Sequence, residues 1–238
     1  MHEAKAGSLG KGEGGLRRRV IAGQKQAFIA WRGTSVSRFS QAISEGDGIS
    51  VIPVLDGDVE ALAALAQQAG AEGIMVRPDD VARARSRSAL PIVARDGDPR
   101  AVSADGGDAL VLAYEAAPEN GELEALYGLA RELGLDCPVD VHDEEELEDV
   151  LERVDPDIVL ISERGLGEDE EDLERTLDLL ADVPAGKLVV SDARIVSREQ
   201  VLALERAGVD AILVRDLARD PDFAAALEEL VRGPEAPR

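Results

Sequence analysis

Short apolar runs rich in β-branched residues recur every 15–30 residues from Ile49 onward, and this recurrence restricts the fold more than any other feature. Eight such runs occur, at 49–55, 72–76, 91–94, 109–114, 138–142, 158–162, 187–191 and 211–214. Amphipathic patterns separate them: Leu123, Leu126, Tyr127, Ala130 and Leu133 make one helical stripe, and Leu147, Val150, Leu151 and Val154 another. Strands alternating with helices build a parallel sheet. Eight of them predict an α/β chain with a single (β/α)8 TIM barrel over residues 49–232.

Several strands follow a similar helix-ending turn, in Gly70-Ala71-Glu72-Gly73, Gly107-Asp108-Ala109 and Gly208-Val209-Asp210-Ala211. A glycine there can take the left-handed conformation that stops a helix before the next strand. A doubly wound open sheet is the competing architecture, but no strand runs into a glycine-rich turn opening a helix, as a dinucleotide site requires. Residues 1–19 are rich in Gly, Lys and Arg without apolar periodicity and read as a disordered basic tail. Residues 20–48 read as a short N-terminal helical extension whose Phe28, Ile29, Trp31, Phe39 and Ile43 plug or flank the domain.

The charge balance narrows the partners. With 49 acidic against 26 basic residues the net charge is −23, which opposes broad contact with nucleic acid or an anionic membrane. No apolar run reaches the roughly 18 residues of a membrane span, and the cytoplasm is the expected compartment. The single cysteine, Cys137, reads as an apolar filler, and with only His142 nearby no metal site and no cofactor are expected. Of the basic residues 22 are arginine and four are lysine. Active groups in barrels sit at the C-terminal ends of strands, where no lysine falls, since Lys187 begins the seventh run at the opposite end.

The stretch Ala130-Arg131-Glu132-Leu133-Gly134-Leu135-Asp136 and then Val139-Asp140-Val141-His142-Asp143-Glu144-Glu145-Glu146-Leu147 resembles strand 5 and its flanks in indole-3-glycerol phosphate synthases. The likeness continues through Ile161-Ser162-Glu163-Arg164-Gly165-Leu166, the helix at 172–177 and Ala207-Gly208-Val209-Asp210-Ala211-Ile212-Leu213-Val214, and it spans about residues 108–231. Upstream, Phe39-Ser40-Gln41-Ala42-Ile43 and Ile49-Ser50-Val51-Ile52 resemble the approach to strand 1. The resemblance implies a decarboxylating ring closure in tryptophan biosynthesis, turning a carboxyphenylamino-deoxyribulose phosphate into indoleglycerol phosphate. In that family a lysine acid acts with a glutamate, a second carboxylate is the base, and glycine-rich backbone after strands 7 and 8 holds the phosphate.

By this resemblance the catalytic positions are Arg95 for the lysine, Asp140 for the strand 5 glutamate, Ser162 for the strand 6 asparagine and Asp192 for the strand 7 glutamate. Arg164 matches the arginine after strand 6, while Arg194 and Arg215 replace glycines after strands 7 and 8 and stand as substrate-binding residues. The strand 1 glutamate and lysine fall on Val54 and Asp56. A guanidinium keeps its proton, so Arg95 preserves charge but makes a poor acid. Asp56-Gly57-Asp58 leads almost at once into a helix at 59–69, leaving no room for a long covering loop.

Each sharp reading has a plain alternative. Asp140 and Asp192 are either paired catalytic carboxylates across the mouth or solvated acids. His142, beside Asp143, reads as a local hydrogen-bond partner ahead of a general base. The arginines either form an anion site or pair with Asp96, Glu163, Asp192 and Asp216. Three functions follow: the lyase reaction, a catalytically inactive relative that binds an anionic phosphorylated or carboxylated metabolite or a protein partner, and a different reaction on the same barrel.

Overall fold

The computed structural model describes residues 38–46, 48–114, 121–162 and 171–232. The tail at 1–19, most of the extension at 20–48 and Arg164 lie outside the described residues. Helix α1 (Arg38–Glu45) leads into eight β/α units. The first half runs β1 (Ser50–Pro53), α2 (Val59–Ala69), β2 (Ile74–Val76), α3 (Val81–Arg85), β3 (Ile92–Arg95), α4 (Pro99–Ala104), β4 (Ala109–Ala113) and α5 (Glu122–Glu132). The second runs β5 (Val139–Val141), α6 (Glu144–Arg153), β6 (Ile158–Ser162), α7 (Glu171–Leu180), β7 (Leu188–Asp192), α8 (Arg198–Ala207), β8 (Ala211–Val214) and α9 (Phe223–Arg232).

All strand pairings are parallel, in the order β1-β8-β7-β6-β5-β4-β3-β2. A parallel bridge from Val54 to Met75, with the Leu55 amide donating to the Met75 carbonyl at 2.8 Å, joins β1 to β2 and completes the barrel. This is the expected (β/α)8 architecture.

Alternation along each strand sorts the side chains. Ile52, Met75, Val93, Leu160, Val190 and Leu213 pack together, whereas their neighbours Val51, Ile74, Ile92, Val159, Val189 and Ile212 pack in a second cluster that includes the helices. Period-two alternation puts the first set inside the barrel and the second beneath the helices. Burial on both faces explains why these strands read as continuous apolar runs.

Phe39 and Ile43 of α1 belong to the inner cluster, so this helix plugs the barrel. It is tied at the N-terminal ends of the strands, where the Ser40 amide donates to Asp136 at 2.6 Å and Arg38 to Asp108 at 3.1 Å. Asp108 also accepts the Ile92 amide at 2.8 Å, and Asp210 accepts that of Val189 at 2.9 Å. Arg85 reaches the carbonyls of Gly106, Ser88 and Leu90 at 2.9–3.0 Å. The end opposite the strand termini is thereby closed.

The turn glycines behave as expected at Gly70 and Gly208, which cap α2 and α8 in the left-handed region. The third turn needs a correction. Gly106, not Gly107, has the positive φ of 88°, while a Cβ on Gly107 would lie 2.5 Å from Val102 Cγ1. Gly107 is small because of close approach rather than handedness. Asp143 caps α6 by accepting the Glu146 amide at 2.9 Å, so the acidic run at 143–149 is a helix start with carboxylates at its positive end. Cys137 is buried, and burial pushes its thiol up to about 12.

Phe39→Ala should lower unfolding stability by about 3–4 kcal/mol in denaturant titration, because it empties the inner plug.

Candidate active site

The inward positions that are apolar through the barrel turn polar where the strands end. Arg95 closes β3, Asp140 is central in the short β5, Ser162 closes β6, Asp192 closes β7 and Arg215 follows β8. In this architecture that end carries the chemistry. Asp140, Ser162 and Asp192 are buried, so the solvated-acid reading does not hold.

Arg95 lies between the two carboxylates. Its Nη2 donates to Asp192 Oδ2 at 2.7 Å, and its Nη1 sits 3.2 Å from Asp140 Oδ2 without completing a hydrogen bond. Arg215 Nε donates to Asp192 Oδ1 at 2.6 Å, and its Nη2 to the other oxygen of that carboxylate. Asp140 and Asp192 are therefore bridged by a cation instead of facing each other. Asp192 accepts from both guanidiniums, and Asp140 has a single one-sided approach.

The protonation states follow. Burial pushes the Asp140 carboxyl above the ordinary carboxylate range and the charge on Asp192 adds to this, while Ser162, Arg95 and His142 pull the other way. Contact with Asp192 raises the Arg215 guanidinium further. Asp140 thus holds a proton at a pH where an exposed aspartate has lost it.

Six buried side-chain polar atoms make no hydrogen bond among the described residues, and five belong to Arg95 Nε, both Asp140 oxygens, Ser162 Oγ and His142 Nε2. Folded proteins leave few such atoms unpaired. Their concentration at one end of the barrel sets that end apart from the rest of the described structure. Asp96 and Asp216, directly after Arg95 and Arg215, have φ of 60° and 63°. Left-handed backbone at non-glycine residues is strained and gathers at functional sites.

Beside the network a cavity of about 460 Å³ opens between the ends of β1, β2, β3 and β8, lined by Arg77, Arg95, Arg215 and Arg219 among others. Arg77 pairs with Asp80 at 3.2 Å and Arg219 with Asp216 at 3.0 Å. Sequence reasoning passed over both arginines, although Arg77 follows β2 as Arg215 follows β8, and that shared position was the available signal. Arg194 is exposed and does not line the cavity. The structure therefore gathers Arg95, Asp140, Ser162, Asp192 and Arg215 and leaves Arg194 apart. Lys187 is at the far end, donating to the Pro156 carbonyl at 2.8 Å. Asp58 caps α2 right after β1, so the connection between them forms no long loop.

The model of the indole-3-glycerol phosphate synthase family matches residues 97–230. An indole-3-glycerol phosphate synthase of Verminephrobacter eiseniae (strain EF01-2) is 32% identical over 234 residues, covering 90% of this chain and 83% of that protein. The chain belongs to the indole-3-glycerol phosphate synthase family. The synthase of Geobacillus sp. (strain WCH70) is 32% identical over 191 residues, 74% of each chain. Among solved structures, a mutant tryptophan synthase alpha-subunit from Pyrococcus furiosus superposes with a TM-score of 0.61 at 18% identity, covering 77% of this chain and 96% of that one. A (S)-3-O-geranylgeranylglyceryl phosphate synthase from Thermoplasma acidophilum, in complex with sn-glycerol-1-phosphate, gives 0.61 at 14% identity, covering 84% and 98%. These two likenesses show the barrel fold. This family member carries Arg77, Arg95, Arg215 and Arg219 around its mouth.

The two aspartates should respond differently to neutralisation. Asp192→Asn should cost about 3 kcal/mol, the low end for breaking a buried pair because Arg215 is half exposed, and Asp140→Asn less than about 1 kcal/mol at neutral pH. A raised folded pKa means that Asp140 favours the native state at low pH and loses that contribution as pH rises through the raised value. The Asp140→Asn protein should therefore gain stability relative to wild type as pH climbs from about 4, read by thermal melts across pH.

Proposed function

We propose that this chain carries out the family's reaction in tryptophan biosynthesis, the decarboxylating ring closure of carboxyphenylamino-deoxyribulose phosphate to indoleglycerol phosphate, with its chemical roles redistributed. The observation that carries this reading is the buried, unpartnered set of atoms on Arg95, Asp140 and Ser162. These are the positions where the resemblance sets the family's lysine, glutamate and asparagine.

An arginine cannot deliver a proton, whereas a buried, protonated carboxyl can. Asp140 is thus the general acid that protonates the substrate's carbonyl oxygen as the ring closes. Arg95, pinned by Asp192, is a preorganised cation that stabilises negative charge developing on that oxygen. Ser162 supplies a further hydroxyl donor. Asp192 positions both guanidiniums. Arg215, half exposed and with capacity for further hydrogen bonds, binds the substrate phosphate together with Arg164 and Arg194.

A second reading is favoured by the Arg95–Asp192 bond and by the short β1 to α2 connection, which supplies no covering loop of its own. In that reading the barrel binds the phosphorylated ligand without turning it over.

Turnover of carboxyphenylamino-deoxyribulose phosphate by the purified chain, followed by indole fluorescence, tests both. The expected result is activity that falls roughly 100-fold in Asp140→Asn. Binding of indoleglycerol phosphate without turnover would select the second reading, and neither binding nor turnover would remove both.

A further inference from the structure

The lyase reading leaves one role empty. The reaction needs a group to accept a proton from carbon, and of the two buried carboxylates at the family's positions Asp192 is bonded to two guanidiniums. Asp140 is the proton donor. Ser162 is a hydroxyl whose neighbour is that same proton donor, Asp140. Among the described residues, the buried unpartnered atoms at this end include one ring nitrogen, His142 Nε2.

His142 follows β5 two residues after Asp140, and the alternation of that strand carries the inward side from one to the other. Its ring Nδ1 lies 2.8 Å from Glu146 Oε2, and the same carboxylate oxygen accepts the His142 main-chain amide at 2.8 Å. Glu146 is in turn fixed in the first turn of α6, where its own amide is capped by Asp143. A carboxylate only accepts, so it holds the ring proton on Nδ1 and leaves the lone pair on Nε2. That Nε2 is buried and makes no hydrogen bond, and the side chain is 11% exposed. Local hydrogen bonding, the role read from the sequence, thus uses only half of the ring. The other half is oriented and free.

We propose that His142 is the proton acceptor of the barrel mouth, with Glu146 as its positioning residue. This inference rests on the lyase reading for the reaction, and on geometry alone for the oriented, unpartnered Nε2.

The step served is the elimination that completes the indole. The carbon–oxygen bond of the ring hydroxyl breaks, and that oxygen leaves as water with the proton of Asp140. The proton on the neighbouring ring carbon passes to His142 Nε2, and the electron pair of its carbon–hydrogen bond becomes the new carbon–carbon double bond. The imidazolium then lies between the Glu146 and Asp140 carboxylates, with Arg95 and Asp192 beyond Asp140. Passing the proton back to Asp140 resets the pair for this step, while the proton used earlier in ring closure is replaced from solvent. No oxidant, reductant or metal enters the step.

The test uses the full chain, with two independent readouts. In turnover assays His142→Gln should lower kcat roughly 100-fold with KM changed less than about 3-fold, and added imidazole should restore about tenfold of the activity lost in His142→Ala. A purely structural histidine would give neither the kcat-against-KM split nor the rescue. In nitrogen-15 spectra of the wild-type chain, Nδ1 should be protonated and Nε2 bare, and saturation with indoleglycerol phosphate should move the Nε2 resonance. Undiminished turnover in His142→Gln overturns the proposal, as does an Nε2 resonance unmoved by bound indoleglycerol phosphate. An absence of wild-type turnover with a moving Nε2 resonance overturns the lyase reading while leaving His142 as the ligand's hydrogen-bond acceptor. No binding and no turnover overturns both.

Discussion

A carboxylate buried at the mouth of a barrel must be paired, because an unpaired charge in that environment costs several kcal/mol. Asp192 meets this requirement with two partners at once, Arg95 from β3 and Arg215 after β8. The arrangement has a consequence for its neighbour. Arg95 is aligned by Asp192, so it reaches Asp140 only obliquely, at 3.2 Å and without a hydrogen bond. Too little positive charge then remains to hold Asp140 ionised against its complete burial, and the carboxyl keeps its proton. Two aspartates at the same end of one barrel are thus held in different surroundings by how a pair of guanidiniums is shared between them.

The rest of the molecule supports this division. Apolar side chains fill the middle of the barrel, Phe39 and Ile43 plug one end, and polar groups gather at the other. Aspartates at the plugged end serve backbone amides: Asp108 takes that of Ile92, Asp136 that of Ser40 and Asp210 that of Val189. Asp140 and Asp192 at the open end face guanidinium side chains, and both Asp140 oxygens are left without a hydrogen bond. One residue type thus acts for stability at one end and is available for chemistry at the other, in keeping with the general polarity of this architecture. The unpaired atoms are destabilising in the resting protein, and a ligand that satisfies them binds more tightly for it.

Much of the fold was legible because its signals are local. Each apolar run became a strand, the helix at 59–69 lies where the pattern puts it, and the short turn before it is present. The site positions at Arg95, Asp140, Ser162, Asp192 and Arg215 were also legible, since inward residues at strand ends converge in any closed barrel. Arg194 lies apart from this network because it follows Ala193 beyond the end of β7, where strand alternation no longer dictates direction. Gly107 was read as a turn residue when its neighbour Gly106 makes the turn, because adjacent glycines are indistinguishable until the Val102 contact is in place.

The sequence by itself determined the eight-unit barrel, its apolar interior, the lack of a lysine at the C-terminal ends of the eight strands and the membership that the family comparison bears out. These depend on residue type and spacing within a few turns or strands. Only the tertiary structure decided which arginine pairs with which aspartate, that burial raises the Asp140 carboxyl and that His142 keeps a free nitrogen. Arg95 and Asp192 are separated by 97 residues and Arg215 and Asp192 by 23. Charge sharing over such separations is set by distance and burial in three dimensions, and no periodicity in the chain encodes it.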